Sequence, residues 1–425
     1  MKDSIKITSR ISDWTVIQQK DGYGQLQLKG IFTISEEDNY PVVKVVDIRT
    51  EKVVYYEKME IEKTACAANL TLPVGMYRIE TGIALKSSDY NPIYLGYGDI
   101  LRNIFVGENF IIAGQSNAQG HGREEIKDTP LFGVSMYNGG WHIAAHPLGH
   151  IDGASNLDYL NSGHSAWINL GKLILRKTAT PVGLIPTALN GSSMDMWEEN
   201  KELFNRLIDL LEKTSAQGLI WYQGCSDVFI DKPDSYEDKL NNFINALKRR
   251  FEKLDIYIVQ ISGTTNTNNP DIGWRKIREI QRRTAIRHQA HLIVTYDLTS
   301  YSDDIHIGTK DNITLSERLF NSYLKNLRAK DISVERKGND IALEFKGYAE
   351  LLEESIMNIA LYNSAQREIP YKATKDKNKI RIIAQDEVSF ISLPFGRLYQ
   401  GRTLADMEGI PIEYFYIESR CSNAL

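Results

Sequence analysis

Cysteine is scarce in this chain. Cys66, Cys225 and Cys421 are the only three in 425 residues, and they stand far apart. No two have the spacing of a zinc-ligand pair or a redox motif, and an odd count builds no disulfide framework. No window approaches the roughly 18 consecutive apolar residues of a membrane-spanning helix. Positive charge is not in excess: 50 Lys and Arg face 55 Asp and Glu, for a net charge of −5. That balance argues against a nucleic-acid surface as the main partner. Internal repeats and low-complexity linkers are missing too. Residues Met1 to Lys6 lack the apolar stretch of a secretion signal. The compartment therefore stays open: cytoplasmic as the sequence stands, periplasmic or extracellular if a signal was removed. Oligomeric state is equally open.

What is present fits an ordinary globular protein, with 42% hydrophobic and 25% charged residues. At roughly 100–200 residues per domain, two or three domains are expected. The 22 tyrosines and 6 tryptophans suit either a sugar-binding enzyme or β-rich domains.

Residues 1–105 read as β-structure, with short apolar runs such as Val42-Val43-Lys44-Val45-Val46 divided by turn residues like Asp21-Gly22. The pattern suggests a small β-sandwich. The character changes near Val106-Gly107. From there to about residue 328, candidate strands at 109–113, 181–188, 218–222, 256–261 and 290–297 alternate with helical patterns. In 235–254, Tyr236, Leu240, Phe243, Ile244, Leu247 and Phe251 recur at helical spacing. Similar patterns cover 166–176, 202–211, 274–287 and 312–327. Strands alternating with helices imply an α/β fold with a mostly parallel sheet covered on both faces. Residues 329–425 return to β-patterning, as in Asp340-Ile341-Ala342-Leu343-Glu344-Phe345.

The chemistry concentrates at strand ends. Phe110-Ile111-Ile112-Ala113 reads as a buried strand, and Gly114-Gln115-Ser116-Asn117 follows it. Ser116 is a candidate nucleophile. Asp303-Asp304-Ile305-His306, far downstream, offers an imidazole base and a carboxylate to orient it. Asp303 has the better offset, with Asp304 as the alternative. Active sites in such sheets lie at the carboxyl ends of the strands. Ser116, Gly191, Gln223 and His306 each follow a different candidate strand, so they converge on one rim.

At these residues the chain resembles the SGNH-hydrolase superfamily, and within it the sialate O-acetylesterase-like carbohydrate esterases. Val106-Gly107-Glu108 through Asn117 is similar to the nucleophile block. Pro181 to Ile185 with Asn190-Gly191-Ser192-Ser193-Met194-Asp195-Met196-Trp197 is similar to the second block. Ile220-Trp221-Tyr222-Gln223-Gly224 resembles the third, and Asp303 to His306 the last. Met407-Glu408-Gly409-Ile410-Pro411 is similar to a segment near the end of many such chains. The resemblance covers 106–320 well, and the first 100 residues match only as a β-rich prefix. Three positions depart from the pattern: Ala118 stands in place of methionine, Cys225 in place of glutamate, and Ser226 in place of the superfamily's asparagine.

The resemblance implies a three-layer, flavodoxin-like catalytic domain with a parallel sheet at 106–328, between β-sandwich-like domains at 1–105 and 329–425. It implies a serine carbohydrate O-acetylesterase working through an acyl-Ser116 intermediate, with Asp303 and His306 completing the catalytic set. Oxyanion donors are expected from the N–H groups of Ser116 and Gly191, with Gln223 or the Gly224 N–H as a third. Gln115 and Asn117 are expected on the substrate side, although a short amide at 117 also suits holding the turn. Asp227 is expected to organise its loop and Cys225 to pack. Trp197 and Trp221 could stack on sugar, with Trp221 the better core candidate. The partner is an acetylated carbohydrate, with substrate choice expected from loops such as 120–165 and 262–273. No organic cofactor and no metal is needed. His142, His146 and His150 recur every four residues, but Pro147 and Gly149 break the helix that would align them as ligands. An alternative is a non-catalytic carbohydrate-binding protein that keeps the fold, motivated by Cys225 and Ser226. An α/β-hydrolase is disfavoured because Ala118 replaces the closing glycine of Gly-x-Ser-x-Gly. A glycosidase is disfavoured because no opposed carboxylate pair is evident.

Overall fold

A computed structural model describes residues 4–34, 38–85, 94–124, 128–148, 162–229, 232–401 and 403–419. Cys421, His150 and much of the 120–165 loop region lie outside them.

The spine of the molecule is one long strand, Tyr94–Gly114. Its first half pairs antiparallel with Gly75–Leu85 and parallel with Val16–Gln18. Its second half is the middle of a parallel array, flanked by Val182–Pro186 and Gly218–Tyr222. Asp255–Val259 and His291–Ile293 extend that array on one side. In chain order these five strands lie 2-1-3-4-5 across the sheet. The whole sheet has 11 strands and is mixed, because the antiparallel strands of the N-terminal part join it through the long strand. Gly107 marks a change of partners, not a break in the strand. A Cβ there would sit 1.9 Å from the Pro181 carbonyl oxygen, so the close approach of the neighbouring chain demands glycine.

The central strands are apolar because both faces are covered. Ile111, Ile112, Ala113, Leu219, Ile220 and Trp221 are all fully buried. Helix α1 (Ser116–Gln119) follows the long strand, and α2 (Ala166–Thr178) leads on to Val182–Pro186. Then α3 (Glu202–Thr214), α4 (Lys232–Arg250) and α5 (Asp271–Arg287) connect successive strands, and α6 (Thr309–Lys325) closes the array. The chain moves one way across the sheet through α2 and the opposite way through α3, α4 and α5. With right-handed crossovers, these helices fall on opposite faces. Consistent with this, α2 packs on α6, and α4 on α5.

Two strands were not expected. Val134–Tyr137 pairs parallel with Val182–Pro186, and Trp141–Ile143 pairs antiparallel with Val134–Tyr137. Both fall in the stretch 120–165 read above as a loop. Both are short, and Trp141–Ile143 forms the edge of the sheet; their pairing is decided by a neighbour and not by a local apolar run. In the N-terminal part, two sheets share one core that includes Leu28, Leu70, Val43 and Ile79. Toward the C-terminus a four-stranded and a three-stranded sheet share another, including Leu343, Ile382 and Ile391.

Candidate active site

The site begins where the long strand stops. Gly114 has φ +129, and a Cβ there would lie 2.1 Å from the Tyr222 carbonyl oxygen. The strand end is pinned from both sides: the Gln115 N–H donates to Tyr222 O at 3.0 Å, and the Leu189 N–H to Gly114 O at 3.0 Å. Gly114→Ala adds a clash to a disfavoured φ. It is expected to lower stability by more than about 2 kcal/mol, measurable by urea unfolding.

Ser116 opens α1 immediately after this pinned turn and is buried. Asn117 ties the turn to the distant C-terminal segment. Its Nδ2 donates to Ile305 O at 3.3 Å, and its Oδ1 accepts the Ile307 N–H at 3.1 Å. Those two groups flank His306, so the residue after Ser116 clamps the backbone on either side of that histidine. Asn117 was expected among substrate-binding residues; its buried amide is instead spent on this clamp. Loosening it is expected to shift His306 by a fraction of an ångström or more. Asn117→Ala should therefore lower kcat/KM by about 10²-fold, with KM nearly unchanged, in initial-rate measurements.

His306 Nδ1 lies 2.6 Å from Asp303 Oδ2. The other carboxylate oxygen, Oδ1, accepts the N–H groups of Ile305 and His306 at 2.9 and 2.8 Å. Partial burial pushes the Asp303 carboxyl up, but the His306 and backbone hydrogen bonds outweigh it and hold it below the usual range. Asp304 turns away. Its backbone oxygen accepts from Thr264 and Thr265, and its carboxylate from Asn266 Nδ2 at 3.1 Å. The carboxylate joined to the imidazole is therefore Asp303.

His121 was not singled out from sequence. Its ring stacks on that of His306, with centroids 4.2 Å apart and planes 15° from parallel. Burial, with a smaller contribution from His306, pushes its pKa down to about 4. A neutral aromatic face thus covers one side of the His306 ring. The only local signal was its place just after Gly120, at the end of the nucleophile turn.

The Gly191 side of the candidate site is built on the loops after the second and third strands of the array. Gly191 has φ +69 and an unobstructed Cβ direction. Its loop is anchored by Ser192, whose Oγ donates to Gly114 O at 3.2 Å and accepts Trp197 Nε1 at 2.9 Å. Trp197 is fully buried, edge-on to Trp221 at 5.1 Å, so neither ring is available to sugar. Among the described residues, the N–H groups of Ser116 and Gly191 donate to no protein acceptor. Gln223 differs from expectation. Its Nε2 donates to Ser192 O at 3.1 Å and to Asp227 Oδ2 at 2.5 Å, which uses both its hydrogens. The Gly224 N–H donates to Gln115 Oε1 at 2.9 Å, so that alternative donor is engaged too. Gln115 also accepts the Ser226 N–H at 3.3 Å; it braces the third loop and does not face a ligand. Asp227 accepts the Met194 N–H through both oxygens, and burial raises its pKa. Cys225 is buried, and desolvation pushes its thiol up to about 12, so it packs and does not react. A cavity of about 850 Å³ lies elsewhere, lined by Glu108, Gly218 and Asp255 at the amino ends of the strands.

The family profile described as carbohydrate esterase, sialic acid-specific acetylesterase, matches residues 106–325. That is more than half of the chain. The chain belongs to this family. As a carbohydrate esterase it is a carboxylic ester hydrolase, with an acetylated carbohydrate as the consistent substrate class. A probable carbohydrate esterase of Arabidopsis thaliana is 26% identical over 243 residues, covering 51% of this chain and 90% of the relative. The crystal structure of a carbohydrate acetylesterase from Xanthomonas citri superposes with a TM-score of 0.65. The match covers 96% of this esterase and 98% of the other at 15% identity, a likeness of fold alone. Among the described residues, no helix is long and apolar enough to cross a membrane.

Proposed function

We propose that this esterase removes acetyl groups from carbohydrate hydroxyls through an acyl-Ser116 intermediate. The observation that carries the reading is the double clamp of Asn117 around His306, combined with the Asp303–His306 hydrogen bond. In this reading His306 takes the Ser116 proton as the hydroxyl attacks the acetyl carbonyl. The tetrahedral oxyanion is held by the N–H groups of Ser116 and Gly191. Collapse breaks the ester C–O bond, and His306 returns the proton to the departing sugar hydroxyl. Water, deprotonated by the same base, then releases acetate. Residues 106–328 carry this chemistry as a flavodoxin-like unit, with the β-rich parts 1–105 and 329–425 supporting it or widening the sugar surface.

The family description makes O-acetylated sialic acid the first substrate to test, beside acetylated xylan and acetylated bacterial polysaccharide. Acetate release measured across that panel should show one preferred glycan, and deacetylated glycans should give none. No release from any acetylated glycan or from an activated acetate ester would leave the non-catalytic binding reading.

A further inference from the structure

Asp128, His146 and His164 are separated in sequence but converge near the nucleophile turn. Each offers one ligating atom, and these atoms lie within 4.8 Å of one another. His146 Nε2 lies 3.1 Å from Asp128 Oδ2. The imidazole centroids of His146 and His164 are 4.2 Å apart. His164 is only 8% exposed, and its Nδ1 has no hydrogen-bond partner; the Nδ1 of His146 has none either. Buried ring nitrogens without partners are unfavourable unless something else satisfies them.

We propose that Asp128, His146 and His164 form a binding site for one divalent cation of the zinc class, with water in the remaining position. Two imidazoles and a carboxylate are a donor set that zinc accepts. Tetrahedral zinc, with bonds of about 2.0–2.2 Å, spaces its ligand atoms by roughly 3.3–3.5 Å. The Asp128–His146 separation is already close to that, and the widest separation, within 4.8 Å, must close by at most roughly 1.5 Å. Lys172 Nζ donates to Asp128 Oδ1 and to Thr129 O, leaving Oδ2 for the ion. It acts as the outer partner that orients a ligating carboxylate. Its charge also opposes a dication, so the affinity is moderate and not that of a closed thiolate site.

The site has a structural use. His146 and His164 stand at the two ends of a long connection, and an ion would fasten both ends to Asp128. His164 O accepts the Gly122 N–H at 3.0 Å and Asn312 Nδ2 at 3.1 Å. Gly122 directly follows His121, the ring stacked on His306. Metal binding would thus order the segment beside the base without taking part in the chemistry, and it is independent of the esterase reading.

The test uses the full-length chain, stripped with a chelator and equilibrated with zinc chloride. Elemental analysis should find one zinc per chain, and zinc should raise the thermal unfolding midpoint. His146→Ala and His164→Ala should each weaken zinc binding by more than about tenfold. His142→Ala, at an exposed histidine, should bind as wild type does. Should either alanine variant fail to fold, cobalt gives a second readout. Wild type should show the visible spectrum of tetrahedral cobalt, and Asp128→Asn should lose it. No zinc retained by wild type would overturn the proposal, as would retention unchanged in both histidine variants. The cluster would then be an ion-paired network around Lys172.

Discussion

Replacing Ser116 with alanine is expected to lower kcat for acetyl ester hydrolysis by about 10⁶-fold, with the fold intact. The loss should be nearly complete because the remaining machinery has nothing to activate. His306 can still accept a proton, and the Gly191 N–H can still meet an oxyanion, but no hydroxyl follows the pinned Gly114 turn. Residual catalysis of about 10³–10⁴ over the uncatalysed rate would come from binding and the oxyanion donors alone. Removing the base in Ser116→Ala/His306→Ala should add little further loss, because the two groups act as one unit. Rates on an activated acetate ester, with circular dichroism to show folding, decide the matter.

The second large effect is expected at Asp303. Asp303→Asn should lower kcat by about 10⁴-fold, because an amide facing His306 Nδ1 favours the wrong tautomer. Asp304→Asn should leave kcat/KM close to wild type. The two residues are neighbours with opposite assignments: Asp303 holds His306 at 2.6 Å, whereas Asp304 meets Asn266. Measuring both variants on one substrate separates an orienting carboxylate from a loop-capping one. Equal losses would contradict the geometry.

The parts of this molecule that were legible in sequence share a physical reason. The strand at 218–222 and residues 256–259 of the next are buried on both faces and so read as unbroken apolar runs, and α4 shows its buried face at helical spacing. Ser116, His306 and Gly191 were legible as candidates because each follows the carboxyl end of a strand of the parallel array. What was not legible depends on contacts. Gly107 looked like a boundary, but it is a close approach to Pro181 inside one long strand. Gln223 and Gly224 looked like free donors; Asp227 in the same loop, and Ser192 and Gln115 from other loops, engage them. Nothing local in the chain reveals the pairings with Ser192 and Gln115. His121 is similar, since a lone histidine carries no sign of which ring it will meet.

With Gln223 and Gly224 engaged, the proposed acyl transfer relies on the Ser116 and Gly191 N–H groups to hold the oxyanion. Each such donor is worth about 10²–10³ in rate. Ser226, in place of the superfamily's asparagine, donates to Gly191 O at 3.2 Å, so it braces the glycine instead of reaching the acyl group. The positioning of Gly191 therefore matters more in this chain, and the Trp197–Ser192–Gly114 relay supplies it.

The most direct measurement treats the folded protein with a fluorophosphonate probe and maps the adduct by peptide mass spectrometry. A hydroxyl activated by His306 should be labelled stoichiometrically at Ser116, and the label should vanish in His306→Ala. An unlabelled Ser116 in folded protein, or labelling that persists without His306, would contradict the serine–histidine pairing on which the catalytic reading rests.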